Sequence, residues 1–205
     1  MQRNRLLKEI SFRPDLKSTL PVWNEQLIQY GEKIISRRKL FSEELNEIIY
    51  EIHKEITGNK EELILTYEPD TDESTFKDAL DAACVRDMKL CSTSVGPHRD
   101  DLLFQINGTD IRKYGSQGQQ RTCALSLKLS EIELVKKTIH DTPVLLLDDV
   151  LSELDSSRQN YLLNGIHSIQ TIITCTGLDE FVKNRFEINK VFQVKEGIVT
   201  VKSDI

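Results

Sequence analysis

The sequence predicts an α/β fold, a sheet flanked by helices, joined to an α-helical arm. Three observations lead there. Val144 to Leu147 is a run of four apolar residues closed by Asp148-Asp149, the pattern of a strand buried on both faces of a parallel sheet. Past Cys91, short apolar runs alternate with helical stretches, which argues for an α/β layer. Before Cys91 the texture is long and helical, which places a boundary between an arm region (1–90) and an α/β region (91–205).

Taken in order, Leu6, Leu7 and Ile10 give residues 1–10 a helical apolar face, and two prolines between Ser11 and Pro21 mark a connection. A long helix is predicted from Val22 to Thr57, stopped by Gly58-Asn59. Its apolar positions Leu27, Ile34, Phe41 and Ile48 recur by sevens, flanked by Trp23 and Tyr30 and continued by Leu45, Ile52 and Ile56. That spacing suits a helical hairpin or coiled-coil arm, or equally an amphipathic helix on a globular core. Leu63 to Tyr67 reads as a strand, and Thr75 to Leu90 as a helix with Phe76, Leu80, Cys84 and Met88 on one face. A strand at 102–106 precedes the hairpin signal Asn107-Gly108. A helix at 117–138, a strand at 143–148, a helix at 156–167, a strand at 171–175 and a hairpin around Gly197 complete the chain.

With 205 residues, 39% hydrophobic and 29% charged, the chain can bury one sizeable core. No apolar run approaches the length that spans a bilayer, and Met1 to Arg5 lacks a secretion signal's apolar segment. Four scattered cysteines (Cys84, Cys91, Cys123, Cys175) fit reduced thiols and a cytoplasmic location. Net charge is −6, with 14 basic and 18 acidic side chains in residues 1–90 and 13 and 15 in the remainder. Bulk charge therefore disfavours nucleic acid, and any such contact needs local basic patches. Arg3, Arg5, Lys8, Arg13 and Lys17 form one, and Lys33, Arg37, Arg38 and Lys39 another. Each is also what a solvated face balanced by Glu25, Glu32, Glu43 and Glu44 would look like.

Chemistry concentrates between residues 115 and 155. At the end of a parallel strand, where ligands bind, one of Asp148 and Asp149 can hold Mg²⁺ and the other can orient or deprotonate a water. Ser116-Gln117-Gly118-Gln119 opens a helix, with Ser116 a favoured cap and Gly118 allowing close approach of a phosphate. A capped helix start with no ligand fits the same residues. Ser152-Glu153-Leu154-Asp155 reads as another helix start, capped by Asp155. A P-loop needs a glycine-rich turn ending in Gly-Lys-[Ser/Thr]. None of the nine glycines is followed by lysine. The nucleotide site is incomplete.

Together these segments resemble, in order, the signature loop, Walker B strand and D-loop of an ATP-binding-cassette (ABC) ATPase head. With Gly96-Pro97-His98-Arg99-Asp100-Asp101 and Arg3-Asn4-Arg5-Leu6-Leu7-Lys8 added, the whole chain resembles the bacterial RecF family, as its carboxy-terminal part without the P-loop segment. The resemblance implies a partial ABC-type head on a helical arm, and a DNA-repair ATPase that dimerises on ATP and uses Mg²⁺. It also implies binding to DNA at gaps or junctions, and recombinase loading with RecO and RecR. By position it implies Asp148 as the metal-associated aspartate and Asp149 as the catalytic carboxylate. Ser116, Gln117, Gly118 and Gln119 become the signature loop that meets nucleotide held by the opposite subunit. Ser152 and Asp155 fall on the D-loop. Arg3, Arg5, Lys8, Arg37 and Arg38 are the candidate DNA contacts. Cys175-Thr176 stands where ABC transporters carry a switch histidine, and His98 in its Gly-Pro-His-Arg turn is given no catalytic role.

Other classes fit parts of the pattern. They are a structural head of the SMC type, a nuclease of the Toprim kind liganding metal through Asp148, Asp149 and Asp155, and a non-catalytic module for DNA or a partner protein. The short heptad run weighs against the first. The nuclease reading leaves Ser116 to Arg121 unexplained.

Overall fold

Helix α1 (Gln2–Ile10) buries Arg3, Leu6, Leu7 and Ile10, the i, i+3, i+4, i+7 face of a helix on a core. This computed structural model describes residues 2–166, 169–176 and 190–202, without the side chains of Ser152, Glu153 and Lys202. Pro14 opens a 3₁₀ turn (Pro14–Thr19), and helix α2 follows over Leu20–Ile56, with Pro21 in its first turn. It ends as expected at Gly58 and Asn59, both with positive φ, where the Asn59 amide donates to the Lys54 carbonyl at 2.8 Å.

The buried face of α2 departs from the heptad expectation. Gly31, Ile35, Ser42, Leu45, Ile49, His53 and Ile56 face inward, whereas Ile34 and Phe41 are exposed. Small and polar residues hold core positions, so apolarity alone misplaces the seam. At Gly31 an added Cβ would meet the Phe76 ring at 2.3 Å. Only glycine lets α2 approach helix α3 (Phe76–Leu90) this closely. On α3 the buried face is Phe76, Leu80, Ala83 and Asp87, with Cys84 and Met88 half-buried beside it.

Strands β1 (Leu63–Glu68), β2 (Asp101–Ile106) and β3 (Thr109–Asp110) form an antiparallel sheet in the order β1-β2-β3, with Leu63 opposite Ile106. Asn107 (φ 49°) and Gly108 (φ 79°) make the expected tight turn. On the free edge of β1, the Leu65 amide donates to the Asn46 side chain of α2 at 2.7 Å, so the helix covers that edge. Leu45, Ile49, Leu63, Leu65, Ile106, Ile111 and Cys123 make the core between helix and sheet.

A single turn, α4 (Ile111–Tyr114), is capped by the Asp110 carboxylate and precedes helix α5 (Gln117–Ile139). The chain divides into two compact units, Met1–Leu134 and Val135–Ile205. In the second, β4 (Leu145–Asp148) and β5 (Thr171–Thr174) pair in parallel, Asp148 opposite Thr174. A 3₁₀ turn (Val150–Glu153) and helix α6 (Ser156–Gly165) connect them. The expected end of α6 at 167 lies outside the described residues. The expected burial on both faces of β4 is not seen among the described residues, where β4 pairs with β5 alone, Leu147 is buried and Leu146 is 70% exposed. Strands β6 (Val191–Lys195) and β7 (Ile198–Lys202) form the hairpin expected around Gly197. No helix among the described residues is long and apolar enough to cross a membrane.

Candidate functional site

Ser116 caps α5 as its residue type suggests. The Gln119 amide donates to Ser116 Oγ at 3.2 Å, and the Ser116 amide donates to Gln119 Oε1 at 3.0 Å. This reciprocal capping box satisfies two helix-start amides at once. Ser116 and Gln117 are exposed. Among the described residues outside its own helix backbone, an added Cβ at Gly118 would find Ser116 Oγ alone within 4 Å, at 3.9 Å. Gly115 is required sterically, since its Cβ would meet the Ile111 carbonyl at 2.5 Å.

Sequence reasoning missed what lies behind this loop. Gln119 Nε2 donates to Glu61 Oε1 at 3.0 Å, and the other oxygen of Glu61 is 3.2 Å from Nε2 of His53, which is fully buried. His53 Nδ1 in turn lies 2.9 Å from Ser126 Oγ. Thr122, Ser126 and Ser130, all fully buried, bond back to carbonyls one turn earlier, which satisfies a polar stripe inside the packing. The four-residue spacing of these hydroxyls was the one available signal.

In the second unit, Asp148 and Asp149 are exposed at the C-terminal end of β4. Thr174 on β5 holds both. Its hydroxyl donates to Asp148 Oδ1, and the Asp149 amide donates to the Thr174 carbonyl at 3.2 Å. Asp149 adopts a left-handed conformation (φ 51°), a non-glycine strain of the kind found at functional turns. Mg²⁺ typically takes one or two carboxylates, with waters and substrate phosphates filling its other positions. The donor set Asp148-Asp149 fits that need.

Asp155 accepts from the amides of Ser157 (3.1 Å) and Arg158 (3.0 Å) and pairs with the Arg158 guanidinium. The Arg158 amide, then the charge of the same residue, holds its carboxyl below the usual range. Its carboxylate is thus committed to starting α6. Among the described residues no group of three or more His, Cys, Asp or Glu is arranged to hold a metal. The side chain of Ser152 lies outside the described residues.

The basic candidates separate. Arg3 is 5% exposed and bonds Asp87 (2.9 Å), Asn24 (2.8 Å) and Thr93 (2.6 Å), so as a DNA contact it is corrected to an internal brace. Arg38 donates to Asp100 at 2.8 Å and to the Pro97 carbonyl, tying α2 to the Gly96–Asp101 segment. Asp100 also accepts from the Tyr67 phenol, whose pKa is pushed up by burial and by that carboxylate. His98 sits 3.0 Å from the Thr93 carbonyl, a turn contact. Arg5 pairs with Glu9 in solvent, and Lys8 and Arg37 are exposed.

Compared with known proteins, the chain is 66% identical over 201 residues to the DNA replication and repair protein RecF of Agathobacter rectalis, covering 98% of this chain and 56% of that protein. It is 58% identical over 200 residues to RecF of Lachnospira eligens, covering 97% and 55%. A solved structure of the recombination mediator protein RecF-ATPrS in the RecFOR pathway matches with a TM-score of 0.83 at 37% identity, over 98% of this chain and 55% of that one. One of RecF-ATP in the same pathway matches with 0.84 at 36% identity, with the same coverage. No model of a protein family matches the chain. The chain spans about half the length of the curated relatives it matches. In sequence and in fold, a partial ABC-type head with a helical arm, these residues match the proteins named RecF.

Proposed function

We propose that this chain carries the nucleotide-hydrolysing and partner-facing half of a RecF ATPase site. Asp148 and Asp149, held by Thr174 at the end of a parallel strand, are the observation that carries the reading. The Mg²⁺ ion, when bound, neutralises charge on the nucleotide's terminal phosphates. Asp148 holds that ion or its waters, and Asp149 orients the attacking water. Ser116, Gln117, Gly118 and Gln119 meet the γ-phosphate of nucleotide held by a second subunit. Ser152 and Asp155 run along the interface between the two heads. ATP thereby clamps two subunits, and hydrolysis releases them. Residues 1–90 serve as the arm and 91–205 as the head portion.

The role proposed for the whole protein is recombination mediation at DNA gaps or junctions, loading recombinase with RecO and RecR. Support comes from relatives named for DNA replication and repair and from solved structures described by ATP and the RecFOR pathway. On the arm, the exposed Arg5, Lys8 and Arg37 are the DNA contacts proposed.

The test uses a RecF-length protein carrying these residues. Asp149→Asn keeps ATP-dependent dimerisation and slows hydrolysis by roughly 10²-fold or more, the range for losing a general base. Unchanged turnover in that variant removes Asp149 from the mechanism.

A further inference from the structure

We infer that Glu61, a residue outside the motif segments, is a positioning residue that sets the geometry of the Ser116–Gly118 loop. The inference rests on the trans-nucleotide role proposed above for that loop. Glu61 lies in the connection between α2 and β1. That connection is pinned where the Glu62 amide donates to Asn107 Oδ1 and the Asn107 amide donates to the Glu62 carbonyl, each at 3.0 Å. The two oxygens of Glu61 do different work. Oε2 faces Nε2 of the fully buried His53 at 3.2 Å, which fixes the carboxylate's rotation. Oε1 accepts from Gln119 Nε2 at 3.0 Å.

Gln119 is thereby held with its own Oε1 toward the Ser116 amide, at 3.0 Å. A capping-box side chain has one acceptor to place, and a free carboxamide would rotate away from it much of the time. The carboxylate removes that freedom. A second path reaches the same loop from His53. Its Nδ1 meets Ser126 Oγ, which donates to the Thr122 carbonyl at 2.9 Å, and Thr122 Oγ1 donates to the Gly118 carbonyl at 2.7 Å. Ser116 and Gly118, the two ends of the phosphate-facing turn, are both referenced to His53. Contacts realised only when two heads close depend steeply on placement, so loosening the loop acts on closure.

The experiment compares Glu61→Ala, Glu61→Gln and Ser116→Arg in a RecF-length protein. It reads the ATP concentration for half-maximal dimerisation and the amide exchange of Ser116 and Gln119. Glu61→Ala is expected to raise that concentration by about tenfold or more, given what an ångström of misplacement costs. Exchange at Ser116 and Gln119 speeds up, while α2 and β1 keep wild-type protection. Glu61→Gln retains an acceptor for Gln119 and stays within about threefold of wild type. Wild-type dimerisation in Glu61→Ala, with Ser116→Arg blocked, overturns the role of Glu61 and leaves the site reading standing. Wild-type dimerisation in both variants overturns the trans-nucleotide reading and this inference with it. Where Glu61→Ala does not fold, Glu61→Asp, which keeps the charge but shortens the reach, is judged by the same outcomes.

Discussion

Arg3 stands in the sequence as the first of a run of cations, yet the fold spends it inside. Its guanidinium faces Asp87, which is fully buried and also accepts from the Ser94 amide at 3.0 Å. Removing one partner of a buried pair strands the other charge. Arg3→Met is therefore expected to cost about 3–5 kcal/mol of unfolding free energy by urea denaturation. DNA affinity, measured below the unfolding transition, is expected to stay unchanged. A loss of DNA affinity without a loss of stability would return Arg3 to the surface. At this scale sequence reading worked where a residue type has one local job, as Ser116 and Asp155 do in capping α5 and α6. It failed where the job depends on a distant partner. Thr174 holds the Asp148-Asp149 pair, but nothing local to Thr174 says which strand it will face.

Among elements, α2 shows how a pattern can be right in type and wrong in face. Its length and stop follow from the helical run and Gly58-Asn59, while it starts at Leu20, ahead of the expected Val22, with Pro21 inside its first turn. Its buried stripe does not follow from apolar spacing, because Gly31, Ser42 and His53 occupy core positions. Gly31 admits the Phe76 ring, and Ile35, Phe76 and Leu80 close the cluster around it. Gly31→Ala inserts a methyl where the ring already lies. Despite alanine's better helix propensity, it is expected to destabilise by about 1–3 kcal/mol, the range for overpacking. Thermal unfolding checks this, and a variant as stable as wild type would mean the two helices separate at little cost. Strand β4 teaches the complementary point. Its apolar run and parallel pairing were legible. The exposure of Leu146 was not, since burial depends on what neighbouring strands are present.

For the molecule as a whole, the motifs present and the motif missing lead to one account. Ser116–Gln119, Asp148-Asp149 and Asp155 occur in order, and no Gly-Lys pair exists to grip the inner phosphates. The 205-residue chain alone is expected to bind and turn over no measurable ATP with Mg²⁺, with or without gapped DNA. Turnover that disappears in Asp149→Asn would reveal a phosphate site built from other residues. The central claim is that Ser116–Gly118 serves nucleotide bound to another subunit. Sedimentation velocity of a RecF-length protein with ATP, comparing wild type with Ser116→Arg, tests it most directly. The account predicts dimers for wild type and, at equal ATP occupancy, monomers for Ser116→Arg. ATP-dependent dimers in Ser116→Arg matching wild type would contradict it.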